Sequence, residues 1–203
     1  NSARLHQKVF EERFLYHADK LGYLVWGEFG DWGVREQNIS LYDPLCHQPY
    51  AAMITQWLEA LERDYSHPCI IGWCGLNETR QDITDNIQAL DDMTRGVFLA
   101  AKAMDTSRPV LDASGYSHRV LEADIYDCHD YAQDPQKLAS NQSGLADGHP
   151  YQNDSKWNVP YQGQPFFVSE FGGIKWNPTL TDSRESWGYG DTPESFDELY
   201  ARF

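Results

Sequence analysis

Two glutamates, Glu78 and Glu170, stand directly after apolar runs of strand length. Glu78 ends the segment Ile-Ile-Gly-Trp-Cys-Gly-Leu-Asn-Glu, and Glu170 ends Pro-Phe-Phe-Val-Ser-Glu. Two carboxyl groups that face one substrate can cleave a glycosidic bond, because one protonates the leaving oxygen while the other, ionised, attacks the anomeric carbon. The alternative for each glutamate alone is a solvated loop position, since charged side chains are usually exposed.

The elements that would position this pair alternate along the chain between apolar runs of strand length and helical patterns. Helices are predicted at 11–21, 50–63, 82–104 and 194–202, from apolar residues at helical spacing and a glycine stop after the first. Strands are predicted as a stub at 1–6 and at 23–26, 69–74, 109–111, 123–126 and 165–168. A polar stretch at 133–164 is interpreted as a long loop, and the tail after 171 as loop-like.

This alternation predicts the α/β class, with a parallel sheet covered on its faces. An eight-fold β/α barrel and an open doubly wound sheet both satisfy it. Several predicted strands lead into polar residues, namely Glu28, Asn77, Asp112, His129 and Glu170. Barrel active sites are assembled from the carboxyl ends of different strands, whereas open sheets more often carry a glycine-rich turn after the first strand, which is missing here. The pattern therefore favours a TIM (β/α)8 barrel.

The composition excludes several classes of protein. The chain has 203 residues and a formal net charge of −15, which argues against a nucleic-acid partner because such binding depends on Lys and Arg. A mean hydropathy of −0.63 and the lack of a long apolar run argue against a membrane partner. Four cysteines, with no HExxH and no closely spaced Cys/His cluster, predict neither a disulfide scaffold nor a zinc site.

Several segments together resemble glycoside hydrolase family 2, which contains β-galactosidases, β-glucuronidases and β-mannosidases. They are HPCIIGWCGLNET at 67–79, FVSEFGG at 167–173, NSARLHQK at 1–8, FLYHADKLG at 14–22 and LVWGE at 24–28. The chain looks most like bacterial members of the β-galactosidase type. The resemblance implies that residues 1–203 belong to one catalytic (β/α)8 barrel domain, present as an incomplete segment of about strands two to seven.

The resemblance implies roles for the residues in these segments. Glu78 would be the general acid/base at the end of the fourth barrel strand, and Glu170 the nucleophile at the end of the seventh. Asn77 would hydrogen-bond the 2-hydroxyl of the sugar. Arg4 and His6, at the end of the second strand, would line the pocket. Arg4 would also keep the nucleophile ionised, since a nearby cation lowers the pKa of a carboxyl group.

Further substrate contacts are implied around this centre. Glu28 would lie at the end of the third barrel strand. Either His129 or Tyr131, after the sixth, would hydrogen-bond the nucleophile, and the sequence leaves the choice open. Trp176 is a candidate to stack on the apolar face of the sugar ring. Many relatives have proline two residues after the third-strand glutamate, where this chain has Gly30, so the shape of that loop is uncertain.

The expected activity is a retaining hydrolase of terminal β-linked sugars, with β-galactosides as substrates and a covalent glycosyl-enzyme. A β-glucuronidase or β-mannosidase is the first alternative, with Lys175 as the candidate cation for a sugar carboxylate. A non-catalytic carbohydrate-binding barrel is the second. The expected partner is a carbohydrate substrate, and an oligomer is allowed. No cofactor is required; family members can bind Mg²⁺ or Na⁺ near the acid/base, but the sequence shows no complete ligand set. The compartment is left open.

A complete barrel typically takes about 250 residues. On the resemblance, we expect the first barrel strand and β-sandwich domains before Asn1, and the eighth strand after Phe203. Such a segment would present two unpaired strand edges, which favour aggregation. We therefore expect this segment alone to be inactive or poorly stable.

Overall fold

The computed structural model describes residues 1–30, 51–79, 87–179 and 186–203. Within them, the strands are β1 (Ser2–Arg4), β2 (Leu24–Glu28), β3 (Ile70–Asn77), β4 (Val110–Ser114), β5 (Tyr126–Asp130) and β6 (Phe166–Phe171). The α-helices are α1 (Glu12–Leu21), α2 (Ala51–Asp64), α3 (Ile87–Met104), α4 (Pro135–Gln142) and α5 (Phe196–Arg202). Short 3-10 helices span Ser143–Asp147 and Ser155–Trp157. None of the helices in the described ranges is long and apolar enough to cross a membrane.

All strand pairs are parallel and follow the order of the sequence. One sheet has the order β1-β2-β3-β4, and β5 pairs with β6 in a second sheet. Side chains connect the two sheets: the backbone N–H of Gly115, just after β4, donates to Oδ1 of Asp127 in β5 at 2.8 Å. The α/β class with parallel strands is therefore confirmed. Among the six described strands, the order shows no reversal of the kind that defines an open doubly wound sheet.

The sheets curve towards one another. The ring of Trp26 in β2 stacks on that of Phe167 in β6, with centroids 5.6 Å apart and an interplanar angle of 21°. Neighbouring strands are separated by about 4.8 Å, so in a flat sheet of this order β2 and β6 would lie roughly 19 Å apart. Only a strong curvature brings these rings into contact, and it encloses a small apolar cluster of Cys74, Leu111 and Ile125.

The helices cover the opposite, convex face of the first sheet. Trp57 and Leu61 of α2 are fully buried, and the Trp57 indole donates to the carbonyl of Val97 in α3 at 3.2 Å. Trp73 of β3 lies edge-on to Trp57, and its indole donates to the buried Asp105 carboxylate at 2.8 Å. The apolar stripe that predicted α2 therefore faces the sheet.

Most predicted helices agree with the structure. α1 ends at Gly22, which adopts the left-handed conformation (φ 64°) that glycine tolerates best. α2, α3 and α5 match their predicted spans to within two residues wherever the structure describes them. Residues 50 and 82–86 of the predictions lie outside the described residues.

Several strand predictions were wrong in their bounds. β3, β4 and β6 each continue three residues past the predicted ends at 74, 111 and 168. The strand predicted at 123–126 is β5, which begins only at Tyr126 and continues to Asp130. All five of its residues are buried, including the polar side chains of Asp127, His129 and Asp130, so the apolar run lies before the strand rather than in it. Much of this strand consists of buried polar residues, which a search for apolar runs does not detect.

The segment 133–164 is not one loop, because it contains α4 and both 3-10 helices. Asp134 caps α4 by accepting from the backbone N–H groups of Gln136 and Lys137, and Pro135 occupies the first turn. α4 buries none of its residues, so it has no apolar stripe to reveal it.

Two tryptophan–glycine pairs fix the contact between β2 and β3. Trp26 lies opposite Gly72, and Gly27 lies opposite Trp73 in the parallel register. A Cβ added at Gly72 would come within 2.5 Å of the Trp26 ring, which cannot move away because it is stacked on Phe167. We therefore expect Gly72→Ala to lower the free energy of unfolding by about 1–3 kcal/mol, as overpacking does, measured by urea denaturation.

Gly30→Ala is the matched control for this prediction. A Cβ at Gly30 would meet no atom closer than the Gln7 carbonyl oxygen at 3.6 Å, an ordinary contact. The control should therefore change stability much less than Gly72→Ala. Equal stabilities of the two variants would contradict the interlocked arrangement.

Candidate active site

Arg4, at the end of β1, lies at the centre of the site with its side chain 6% exposed. Its Nε donates to Oε2 of Glu28, at the end of β2, at 2.6 Å. Its Nη2 donates to Oδ1 of Asn77, the last residue of β3, at 2.6 Å, and its Nη1 donates to Oγ of Ser114, the last residue of β4, at 2.7 Å. A single guanidinium thus ties together the carboxyl ends of four strands.

Glu170 in β6 also meets this guanidinium. Its Oε1 lies 2.6 Å from Arg4 Nη2, and its Oε2 accepts from the Tyr131 hydroxyl. Burial alone would raise the pKa of Glu170. Four other interactions outweigh burial and lower this pKa to about 2: the hydrogen bond to His6, the charges of Arg4 and His129, and the hydrogen bond from Tyr131. Glu170 is therefore ionised at neutral pH.

Glu78 follows β3 directly, in a left-handed backbone conformation (φ 49°) that non-glycine residues rarely adopt. Its backbone N–H donates to the Ser114 carbonyl at 2.8 Å, and its Oε1 lies 2.6 Å from Nδ1 of His129. The other ring nitrogen of His129, Nε2, lies 3.4 Å from Glu170 Oε1. One carboxylate oxygen from each glutamate and one ring nitrogen of His129 all lie within 4.8 Å of one another.

The contacts separate the two candidates that the sequence left open. Tyr131 hydrogen-bonds Glu170, whereas His129 makes its shortest side-chain contact with Glu78. His6 is half exposed, with Nδ1 2.7 Å from Arg4 Nη2 and 3.3 Å from Glu170 Oε1. The hydrogen bond with Glu170 raises the pKa of His6.

Glu28 lies behind Arg4 rather than on the open face of the site. Its side chain is fully buried and accepts from Arg4 and from the backbone N–H of Gln7 at 2.7 Å. Burial raises the pKa of Glu28, although Arg4 and the Gln7 hydrogen bond oppose this. Its observed contacts position Arg4, and a direct contact with a sugar stays a prediction.

Trp176 is also a predicted site residue, but none of the contacts described above connects it to this cluster. Its ring packs against Phe196 at 4.5 Å, edge to face, beside a cleft of about 360 Å³. Stacking of Trp176 on a sugar stays a prediction. The sequence also predicts Trp32 in a loop, as a further candidate for stacking on a sugar, but Trp32 lies outside the described residues.

Sequence reasoning missed a second group of polar residues beneath the glutamates. Ser114 Oγ lies 2.8 Å from His129 Nε2 and 2.9 Å from Asp127 Oδ2, which also accepts from Ser169. The spacing of Asp127 and His129, two residues apart, was an available signal, since side chains of alternate strand residues share a face. The misplaced bounds of β5 concealed it.

Binding of Mg²⁺ or Na⁺ stays a prediction of the resemblance. Among the described residues, two groups of side chains could hold a metal ion: Glu78 with His129 and Glu170, and Asp19 with His67 and Cys69. Mg²⁺ prefers an octahedron of oxygen ligands, and each group includes a nitrogen or sulfur donor. The Arg4 guanidinium already occupies the Glu170 carboxylate, so we derive no step through a metal ion.

Neither a protein-family model nor a curated protein matches the chain. Solved structures do match it. A Dictyoglomus thermophilum β-D-glucuronidase aligns with a TM-score of 0.61 and 19% identity over 93% of this chain and 33% of its own. A family 2 β-galacturonidase of Eisenbergiella tayi aligns with a TM-score of 0.57 and 21% identity over 93% of this chain and 32% of its own. A Bacteroides fragilis protein, provisionally assigned as a β-galactosidase, aligns with a TM-score of 0.62 and 20% identity over 89% of this chain and 25% of its own.

These likenesses show that the chain has the fold found in glycoside hydrolase family 2 structures, at low sequence identity. The chain spans about a quarter to a third of the length of these three structures.

The buried Arg4 predicts a large stability effect. Arg4→Met leaves Glu28 and Glu170 without their cation, and removing one partner of a buried ion pair costs about 3–5 kcal/mol. Because the pKa of Glu170 is lowered from 4.5 to about 2, the stabilisation by this carboxylate is complete above about pH 4.5 and is lost as the pH falls towards 2. The difference in unfolding free energy between wild type and variant should therefore shrink in that window, measured by urea denaturation at several pH values.

Arg95→Met provides the control, because Arg95 pairs with Glu122 on the surface, where the two side chains are 59% and 44% exposed. An exposed pair contributes about 0–1 kcal/mol. If Arg4→Met cost no more than Arg95→Met, the central role of Arg4 would be wrong.

Proposed function

We propose that this chain is the catalytic part of a retaining β-glycosidase, with Glu170 as nucleophile and Glu78 as general acid/base. The observation that carries the proposal is the approach of the two glutamates to within 4.8 Å at the carboxyl ends of parallel strands, one of them held ionised by Arg4. The fold shared with family 2 structures supports it.

We further propose that the six strands are part of a (β/α)8 barrel. Three observations support this: the sequential parallel order, the stacking of Trp26 on Phe167, and the reach of Arg4 from β1 to Glu170 in β6. In such a barrel the carboxyl ends of the strands surround one mouth, where active sites are built.

In the first proposed step, the Glu170 carboxylate attacks the anomeric carbon while Glu78 gives its proton to the leaving oxygen. The carbon–oxygen bond to the leaving group breaks, and an ester between the sugar and Glu170 forms. The Tyr131 hydroxyl and the Arg4 guanidinium hold the attacking carboxylate in place. Asn77, fixed by Arg4 at 2.6 Å, would hydrogen-bond the 2-hydroxyl group.

In the second step, Glu78 removes a proton from water, and the resulting hydroxide displaces Glu170 from the sugar. Two inversions give net retention. Retaining enzymes hold their carboxyl groups about 5–5.5 Å apart, whereas inverting enzymes need about 6.5–9.5 Å to accommodate water between them. The short separation of Glu78 and Glu170 supports retention.

For the substrate we propose a neutral sugar, a β-galactoside. The carboxylates of Glu28 and Glu170 balance and exceed the charge of Arg4, so a uronate would be repelled unless another cation approached it. A β-glucuronide is the second candidate, because several similar structures are β-glucuronidases. In that case Lys175, five residues after Glu170, is the candidate cation.

Labelling with a 2-deoxy-2-fluoro β-galactoside tests the nucleophile. The fluorine slows the second step more than the first, so the glycosyl-enzyme should accumulate, and peptide mass mapping of the full-length protein should find the label on Glu170. Glu170→Gln should reduce kcat by at least about 10³-fold, in the range seen when a nucleophile is removed.

Glu122→Gln is the control for this experiment, since Glu122 is a surface residue paired with Arg95. It should be labelled and active like the wild type. Labelling at any other residue would refute the assignment of the nucleophile. Binding of sugar without turnover in the wild-type protein would favour the non-catalytic barrel instead.

A panel of nitrophenyl β-galactoside, β-glucuronide and β-mannoside tests the substrate. We expect the largest kcat/KM for the galactoside, and Lys175→Met should leave the ratio of galactoside to glucuronide turnover unchanged. A preference for the glucuronide that falls roughly 10-fold or more in Lys175→Met, as expected for loss of a charged hydrogen bond, would replace this proposal with the glucuronidase alternative.

A further inference from the structure

A buried chain of polar groups leads from the interior to the candidate acid/base. His118 lies between two aspartates, with Nδ1 2.9 Å from Asp112 Oδ1 and Nε2 3.1 Å from Asp127 Oδ1. Ser114 then connects Asp127 to His129, whose Nδ1 faces Glu78. All these groups except Glu78 are almost fully buried, so each proton must have a partner within the protein.

Asp127 is surrounded by donors. Its Oδ1 accepts from the Gly115 backbone N–H at 2.8 Å, and its Oδ2 accepts from the hydroxyls of Ser169 and Ser114. Burial raises the pKa of Asp127, but its hydrogen bond to His118 and the positive charge of that residue outweigh burial and lower it. Asp127 is therefore an ionised carboxylate that can only accept hydrogen bonds.

The Ser114 hydroxyl has one proton and two acceptor positions. It accepts from Arg4 Nη1 at 2.7 Å and gives its proton to Asp127 at 2.9 Å. Its remaining position can only accept, and His129 Nε2 lies 2.8 Å away. Ser169 Oγ also lies 3.1 Å from this hydroxyl, but Ser169 gives its own proton to Asp127, so the proton in the contact with His129 comes from Nε2.

The rival tautomer of His129, with Nε2 unprotonated, would accept from Arg4 Nη1 at 3.2 Å. It would also require Ser114 to turn its proton from the buried Asp127 carboxylate to Nε2, which removes one donor from that carboxylate, and it would present a lone pair to Glu170 Oε1 at 3.4 Å. The donor that the Asp127 carboxylate keeps and the acceptor that Glu170 offers to Nε2 favour a proton on Nε2.

We propose that Asp127 is a positioning residue that acts through Ser114 to keep the proton of His129 on Nε2, so that Nδ1 of His129 shares a proton with the acid/base Glu78. The part that concerns catalysis rests on the proposed function. The 2.6 Å contact between Nδ1 and Oε1 then holds the proton that Glu78 delivers to the leaving oxygen. In the second step the proton taken from water returns to the same pair, so the count of protons is restored after each turnover.

The surroundings prevent His129 from rotating out of this arrangement. A Cβ at Gly115 would come within 2.6 Å of the imidazole, so the ring lies directly on the backbone of that residue. Asn153 binds both backbone groups of His129, accepting from its N–H at 2.9 Å and donating to its carbonyl at 2.6 Å. The ring orientation is therefore fixed, and the proton position is the remaining variable.

Asp127→Asn replaces one accepting oxygen of the carboxylate with an NH2 group, which donates. The new amide must direct its oxygen towards the Gly115 N–H, which leaves its NH2 group facing Ser114 and Ser169. Ser114 then accepts from this amide and from Arg4, and its own proton goes to His129 Nε2, which at 2.8 Å is closer than Ser169 Oγ at 3.1 Å. The substitution should therefore move the ring proton of His129 from Nε2 to Nδ1.

The direct measurement is the ¹⁵N spectrum of protein labelled at histidine, with His129→Gln used to assign the signal. At neutral pH the wild-type Nε2 should show the resonance of a protonated nitrogen, and Asp127→Asn should convert it to that of an unprotonated one. An unprotonated Nε2 in the wild type, or an Nε2 resonance that Asp127→Asn leaves unchanged, would overturn the proposal.

Asp130→Asn is the matched control, because Asp130 is also buried in β5 but accepts from Asn141, Gln142 and Ala132 rather than from Ser114. It should keep the wild-type resonance. If Asp127→Asn does not fold, Ser114→Ala replaces it: without the hydroxyl, Arg4 Nη1 is the nearest group to Nε2, so Nε2 should become an acceptor. A protonated Nε2 in that variant would overturn the proposal.

Turnover gives a second measurement in the full-length protein. Loss of the shared proton should slow a phenyl β-glycoside about 10-fold or more beyond its effect on a dinitrophenyl β-glycoside, whose leaving group needs no acid. Equal effects on both substrates would count against a role in acid catalysis. A wild type without turnover would refute the proposed function, while the ¹⁵N spectrum would still decide the proton position.

Discussion

The Arg4 guanidinium is the group on which both the site and the sheet depend. It is almost fully buried, and a buried charge is tolerated only when it is paired and hydrogen-bonded. Burial opposes its charge, but the carboxylates of Glu28 and Glu170 raise the pKa of Arg4. These partners come from β2 and β6, so the strands must curve around the guanidinium to satisfy it. The rigid planar fork of arginine suits this task, because its donors point in fixed and different directions.

The same reasoning explains why so many acidic groups are buried under the site. Glu28, Asp112, Asp127 and Glu170 are all largely removed from water, and each meets several donors. Burial lowers the pKa of His118, but the two flanking aspartates outweigh this and raise it to about 10, so a second cation stands among the carboxylates. The polar interior thus balances four carboxylates with two cations and with hydrogen-bond donors that compensate the remaining negative charge.

This balance also determines what the sequence could reveal. α1, α2 and the apolar strands were predictable because one face of each meets a hydrophobic layer, which leaves a periodic pattern. β5 was misplaced because its inward side chains, Asp127 and His129, are polar and buried. Glu78, Glu170 and Arg4, which the structure brings close together, were proposed from strand ends and from resemblance. Ser114 and Asp127 were missed because their importance arises only from partners far away in the chain, which spacing does not show.

The backbone at Glu78 shows how these contacts determine the direction of the proposed acid/base. A left-handed conformation at a non-glycine residue costs on the order of 1–3 kcal/mol and persists only where the surroundings impose it. Here the backbone N–H of Glu78 extends the β3–β4 ladder through the Ser114 carbonyl, while its carboxylate is held by His129. A residue in ordinary strand conformation would direct its side chain differently, so the strained backbone and the imidazole together aim Glu78 at Glu170. Ser114 makes two of these contacts: its carbonyl accepts from the backbone of Glu78, and its hydroxyl accepts the proton of His129 Nε2. The same residue therefore couples the backbone geometry of Glu78 to the proton position on His129.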